Sequence, residues 1–264
     1  MDVTAVSRDV HGNISRAIWL LSQADIRYVE ATNWTNDVPI CCISDNQLRE
    51  LKRILSDREM RVSMIETTLD GPGGMARWGR EMEIAAALET KHVRVVPFKK
   101  EACSHRQTVE TLQRASEEAK RHGLIVTVEN IGPDRHASSP EEIKALMKDV
   151  GADNFHLCWD PCAHARFYGR DKERMEAACR VALEFADYIH VTDMAAEPDE
   201  KYVCLGDGIM DYGTIFRDLI AGGYSGFYAL KPRYGTGDIA ALKRNCAVLR
   251  RMLREARRVA SPLP

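Results

Sequence analysis

Short apolar runs alternate along the chain with longer stretches whose apolar residues recur every three to four positions. A short apolar run bounded by turn residues reads as a buried strand, and the longer spacing reads as one face of a helix. The first strand is "VTAVS", and "ISRAIWLLSQA" follows with Ile14, Ala17, Ile18 and Leu21 on one face. "IRYVEAT" is the second strand. Ser44 then caps a helix whose Leu48, Leu51, Ile54 and Leu55 line up. The remaining strands are "RVSMIET", "HVRVVPF", "LIVTVEN", "NFHLCWD", "YIHVTD" and "GFYALK". Helical patterns follow each, from about Arg77 to Glu89, Ser104 to His122, Pro140 to Val150, 171 to 186 and 212 to 222, and then through "DIAALKRNCAVLRRMLREARR". Ser139-Pro140-Glu141-Glu142 is a helix start, with proline at the first helical position and acids in the first turn. Gly123 and Gly222-Gly223 are stops.

Eight strand-then-helix units in strict alternation require parallel strands and right-handed crossovers. In a chain of 264 residues they predict one α/β domain, a single (β/α)8 TIM barrel over residues 1–258, with 259–264 as a loose tail. A doubly wound open sheet shares the alternation, but no Gly-rich dinucleotide fingerprint follows the first strand.

Composition changes this picture only by exclusion. The formal net charge of -2 offers no basic footprint for nucleic acid or an anionic membrane surface. No apolar run is long enough to span a bilayer, and "MDVTAVSRDV" lacks the basic and apolar segments of a secretory signal. The eight cysteines include no C-x-x-C pair, which predicts a reduced, cytoplasmic protein without a disulfide framework.

The strand ends carry the chemistry. Barrel strands are buried on both faces, so charges belong at their ends, and function gathers at the C-terminal ends. Those ends read Glu30, Glu66, Lys99, Glu129, Asp160, His190 with Asp193, and Lys231. Glu129, Asp160 and His190 close three successive strands, which lie about 4.8 Å apart, so their side chains can converge on one ion. Two carboxylates and an imidazole suit a divalent metal such as Mn, Co, Mg or Zn.

From residue 120 to 235 the chain resembles the xylose-isomerase-like barrel superfamily. The stretches that carry the resemblance are "VTVENIG", "SSPEEIKALMKDVG", "NFHLCWDPCAHARFYGRD", "ADYIHVTDM" and "LGDGIMDYGTIFRDLIAGGYSGFYALK". That group includes sugar phosphate isomerases, ketose 3-epimerases, inosose dehydratases and endonuclease-IV-type nucleases. The resemblance implies Glu129, Asp160 and His190 as metal ligands and His164 as a histidine that touches substrate. It also implies that Gly206, Gly208 and Asp211 shape the loop after strand seven. The family's fourth ligand is a glutamate at the end of strand eight, where this chain has Lys231, and Ala196 stands where some epimerases carry an arginine.

Four roles for Lys231 follow. It is an acid, base or oxyanion partner beside the metal; its ammonium replaces the metal between the carboxylates; it forms a Schiff base; or the metal site is knocked out. The expected function is a metal-assisted isomerase or epimerase of a sugar, keto-polyol or related hydroxy-carbonyl compound. Glu129 would abstract the proton and Lys231 return it. The runner-up is a lyase or dehydratase using the same abstraction, and a metal-free or non-catalytic barrel is the third class. Glu66, Arg233 and Trp34 join His164 as substrate-binding candidates. Such barrels often pair through their outer helices, so a homo-oligomer is in keeping with the fold.

Overall fold

The computed structural model describes residues 2–196, 201–233 and 237–260. Eight strands form one parallel sheet: β1 (Asp2–Ala5), β2 (Tyr28–Ala31), β3 (Arg61–Glu66), β4 (His92–Val95), β5 (Ile125–Glu129), β6 (Phe155–Trp159), β7 (Ala186–Val191) and β8 (Phe227–Leu230). Their spatial order is β1-β8-β7-β6-β5-β4-β3-β2, and a parallel bridge from Val6 to Glu30 brings the two ends together. The predicted (β/α)8 barrel is therefore the observed fold.

Eight helices cover it: α1 (Ile14–Gln23), α2 (Asp45–Ser56), α3 (Met75–Ala87), α4 (His105–Arg121), α5 (Pro140–Val150), α6 (Lys172–Phe185), α7 (Tyr212–Ala221) and α8 (Ile239–Ala260). Local chemistry sets their ends. Ser44 and Ser104 each form a reciprocal capping box, with Gln47 and Gln107, and Ser139 caps α5 ahead of Pro140. Gly123 takes φ +69° just past α4, a conformation that glycine adopts without strain. Helix α8 continues through Val259 and Ala260, the first two residues of the expected tail, and 261–264 lie outside the described residues.

The additions are all in βα loops: short helices at Ser7–Val10 and Pro161–Tyr168, and small antiparallel pairs Asn33–Thr35 with Val38–Pro39 and Asp193–Met194 with Tyr202–Val203. Periodicity could not reveal them, because each spans at most about two repeats of its own pattern.

The outer faces of the strands pack against the helices through a continuous apolar layer that includes Val29, Val93, Val126, Val128 and Ile189. The inner faces build the lumen. Side chains alternate across a strand, so His92 and Arg94, Thr127 and Glu129, Tyr188 and His190, and Phe227, Ala229 and Lys231 share the inward direction. At the level where the strands start, Phe227 packs edge-on against Tyr28 and His92, with ring centres 5.3 and 6.0 Å apart. Above it Met64, Cys158, Tyr188 and Ala229 form a fully buried plug. Ser63 joins Thr4 (2.8 Å) to the Tyr188 hydroxyl (2.9 Å), so the polar atoms in the plug are paired. The plug closes the lumen below the charged layer.

Asp187, at the strand-start rim, sits 2.9 Å from His92 and 3.0 Å from His156. Burial raises its pKa, but the two imidazoles outweigh that and hold it at about 2. A carboxyl whose folded pKa lies below its unfolded value stabilises above the unfolded value, and that stability is lost as pH falls through about 2. Asp187→Asn is therefore expected to lower unfolding free energy by about 2 kcal/mol near neutral pH. Urea titrations should show the deficit vanishing in acid. They should show it shrinking in alkali as well, because His156, raised mainly by its Asp187 hydrogen bond, then loses its charge.

Candidate active site

The upper lumen layer brings together residues within or directly after seven strands. Glu30 comes from β2, Glu66 from β3, Arg94 from β4, Glu129 from β5 and His190 from β7, while Asp160 and Lys231 directly follow β6 and β8. Glu66, Arg94, Glu129, Asp160 and Lys231 form the floor of a cleft of about 300 Å³ at the C-terminal rim, whose walls include Arg8, Phe167, Tyr202 and Arg233, while Glu30 and His190 are fully buried behind that floor. A hollow of similar size, lined by Asp2, Asp25, Arg27 and Arg254, opens at the opposite end, where barrels carry stability rather than chemistry.

Lys231 Nζ lies 2.8 Å from Glu129 Oε1 and 3.0 Å from Asp160 Oδ2. Its backbone N–H donates to Val191 O at 2.8 Å, and its carbonyl accepts from Thr192 Oγ1 at 2.9 Å, which fixes where the side chain leaves the strand. His190 Nδ1 is 2.6 Å from Glu129 Oε1, and its Nε2 is 2.9 Å from Glu30 Oε2. Arg94 spans three carboxylates. It donates to Glu129 Oε2 through Nη1 and to Glu66 Oε2 through Nη2 at 2.5 Å, and its Nε lies 3.0 Å from Glu30 Oε1. Arg8 then pairs with Glu66 at 2.9 Å on the open side.

The protonation states follow from these contacts. Burial disfavours a charge on Glu129, but Lys231, Arg94 and His190 hold its pKa well below the usual carboxylate range. Burial likewise opposes charge on Lys231, and the carboxylates of Glu129 and Asp160 push its pKa up despite that. His190 is raised well above an ordinary imidazole, because the carboxylates on both ring nitrogens overcome its burial. Arg94 is raised too, against its burial, by Glu129, Glu66 and Glu30. The layer is an alternation of acids and bases, each cation resting on at least two carboxylates.

Donor atoms of Glu129, Asp160 and His190 lie within 4.8 Å of one another, so the expected convergence is present. The donor set does not fit a divalent ion as it stands. The ammonium of Lys231 occupies the space between the two carboxylates, and both nitrogens of His190 donate to acids. Asp160 Oδ1 is engaged as well, accepting from Ala163 N–H at 2.9 Å at the start of the Pro161–Tyr168 helix.

The other sequence candidates divide. Glu66 and Arg233 line the cleft; Arg233 donates to the Tyr202 hydroxyl at 3.0 Å and faces Asp9 at 3.5 Å. Trp34 packs against the apolar core away from the cleft walls. His164 is buried and stacks on Tyr168 with ring centres 5.5 Å apart, and burial lowers its pKa to about 4. It too is outside the cleft lining. Lys99 does not end a strand: β4 stops at Val95, and Lys99 is exposed opposite Glu101. Asp193 accepts backbone N–H groups of Met194, Gly206, Gly208 and Met210 at 2.9 to 3.2 Å. A β-carbon at Gly208 would lie 2.1 Å from Asp193 Oδ1, so glycine there lets the loop close on the carboxylate. Asp211 caps α7 through the N–H of Thr214. Arg94 and the joining role of Glu30 were missed. The signal was available, since Arg94 stands two residues after inward-facing His92, but a charge inside "HVRVV" contradicts the expectation of an apolar strand interior.

A family model described as "Xylose isomerase-like TIM barrel" matches residues 20–252. A D-tagatose 3-epimerase-like protein is 17% identical, with 99% of this chain and 100% of that chain covered and a TM-score of 0.79. An L-ribulose 3-epimerase is 19% identical, with 98% and 97% covered and a TM-score of 0.75. A xylose isomerase-like TIM barrel protein from Mycobacterium smegmatis, in complex with magnesium, is 17% identical, with 92% and 88% covered and a TM-score of 0.73. Comparison with curated proteins returns no match. No helix among the described residues is long and apolar enough to cross a membrane.

Proposed function

The chain belongs to the xylose isomerase-like TIM barrel family, and on that footing we propose that it is an isomerase or epimerase of a small hydroxy-carbonyl compound, a sugar or keto-polyol. The observation that carries this reading is the convergence of Glu129, Asp160 and Lys231 on the floor of a cleft at the C-terminal rim, with His190 buried against Glu129. Acid–base pairs at that position suit removal of a proton next to a carbonyl group. One of the compared structures is an L-ribulose 3-epimerase and another a D-tagatose 3-epimerase-like protein, in line with a substrate of this size and polarity.

The proposed steps use this chain's own groups. An ammonium has three protons to donate. Two point to Glu129 and Asp160, and the third is left for the substrate carbonyl in the cleft that Lys231 lines. Glu129 is a weak base in the resting network. A substrate oxygen that draws the ammonium towards itself strengthens that base, because losing a neighbouring cation raises a carboxylate pKa. Glu129 then takes the proton from the carbon next to the carbonyl, and Lys231 holds the charge that develops on oxygen. Return of the proton to the neighbouring carbon completes an isomerisation. Delivery of a Lys231 proton to the same carbon from the opposite face completes an epimerisation, and the proton held by Glu129 then passes to the Lys231 amine 2.8 Å away to restore both groups.

A lyase reading shares the first step and is favoured by one feature, the acid Lys231 beside the base. It could hand a proton to a leaving hydroxyl, releasing water. Solvent deuterium exchange into hydroxy-carbonyl compounds, followed by NMR and mass spectrometry, tests both. Deuterium at the carbon next to the carbonyl without loss of water supports the isomerase or epimerase, and loss of water supports the lyase. Glu129→Gln is expected to slow exchange by at least about a hundredfold with an unchanged circular dichroism spectrum. Full exchange in that variant would reject the assignment of the base.

A further inference from the structure

Oxygen by oxygen, the buried acids of the upper layer already face a donor or a cation, although Glu30 Oε1 meets Arg94 Nε as an ion pair without a hydrogen bond. Glu129 Oε1 accepts from His190 and Lys231, and its Oε2 accepts from Arg94. Asp160 Oδ2 accepts from Lys231, and its Oδ1 accepts from a backbone N–H. Glu30 Oε2 accepts from His190, and its Oε1 lies against Arg94. A divalent ion between Glu129, Asp160 and His190 would have to expel the ammonium from among the donors and strip His190 of its contact with Glu129. It would also have to tolerate an adjacent buried cation. At 4 Å two unit charges interact by about 4 kcal/mol at an effective dielectric constant of 20, and a doubly charged ion doubles that repulsion.

We propose that Lys231 is the resident cation of this site, covalently fixed between Glu129 and Asp160, and that it makes the site independent of divalent metal. The cation then cannot dissociate or exchange. It carries one charge rather than two, and it brings protons of its own. Its position is over-determined by two carboxylates, by the backbone hydrogen bonds of Lys231 and by the plug beneath. The barrel would keep an acid-rich rim and answer its charge with three side-chain cations, Arg94, His190 and Lys231, instead of an ion from solution. The claim stands on the geometry of the charged layer and does not need the reaction proposed above to be right.

The test is metal content and metal-linked melting. Purified wild-type protein, dialysed against Mn2+, Zn2+, Co2+ or Mg2+ and then desalted, should carry no ion above background by plasma mass spectrometry. Its melting temperature should be the same in those ions and in EDTA. Lys231→Glu converts the ammonium into a fourth ligand beside two carboxylates and an imidazole, a set that suits such ions. It should bind stoichiometric Mn2+ or Zn2+ and melt higher in their presence, since a ligand that binds only the folded state stabilises it. Lys231→Gln removes the charge without adding an acid and serves if the glutamate variant does not fold; it should show a weaker metal-dependent rise. Stoichiometric metal in the wild type, lost in Asp160→Asn, would overturn the proposal. So would folded variants at position 231 that remain indifferent to metal. None of these readouts depends on turnover, so they leave the proposed reaction to be judged separately.

Discussion

Lys231→Met is expected to destabilise the protein by about 3–5 kcal/mol, because it leaves Glu129 and Asp160 buried without the cation between them. Methionine nearly matches the length of the lysine stem, so the loss is charge and hydrogen bonds rather than volume. Lysine and both acids are almost fully buried, which keeps solvent from replacing the lost partner cheaply. The double variant Lys231→Met with Asp160→Asn should recover a substantial part of the loss. Removing both members of a pair takes away the unpaired charge as well as the attraction, and a double-mutant cycle isolates the difference. Equilibrium denaturation of the four proteins gives the number. Additive effects would mean that the two groups do not interact.

Arg94→Met should be at least as damaging, and it tests the other half of the layer. One guanidinium serves Glu30, Glu66 and Glu129. Its planar fork reaches three acids on neighbouring strands at once, which a lysine ammonium on a flexible stem does not reproduce. The expected loss is again about 3–5 kcal/mol, and Arg94→Lys should restore only a fraction of it. Since His190 also holds Glu30 and Glu129, the variant is expected to fold with reduced stability rather than fail outright. A midpoint in urea equal to that of the wild type would show that the three contacts carry no energy.

These expectations arise from a layer that was partly legible in the sequence. The eight-fold alternation predicts the barrel, and the rule that charges gather at strand ends picks out Glu129, Asp160, His190 and Lys231. What placed them together was period-two alternation acting on adjacent parallel strands. The register pairs Ala229 with His190 and Glu129 with Cys158, so Lys231 and Asp160, two residues further along, project to the same side as those pairs. The same rule, applied inside "HVRVV", would have found Arg94. It was hidden because an isolated cation within a strand looks like an error until three acids are seen around it.

The loops were less legible. Trp34 and His164 are turned into packing by a hairpin and a short helix whose conformations depend on tertiary contacts rather than on local pattern. Lys99 lies beyond the end of its strand because β4 stops at Val95 and the chain turns before reaching it. The resemblance of residues 120 to 235 pointed to the correct family but left the role of Lys231 open. Neither spacing nor composition says whether an amine next to two acids accompanies a metal or takes its place.

The account rests on the identity of the cation between Glu129 and Asp160. A crystal structure with crystals soaked in Mn2+ or Zn2+ and data collected at the metal absorption edge measures it directly. The account predicts no anomalous peak among Glu129, Asp160 and His190, with Lys231 Nζ within hydrogen-bonding distance of both carboxylates. An anomalous peak there, with the lysine side chain swung away, would contradict it.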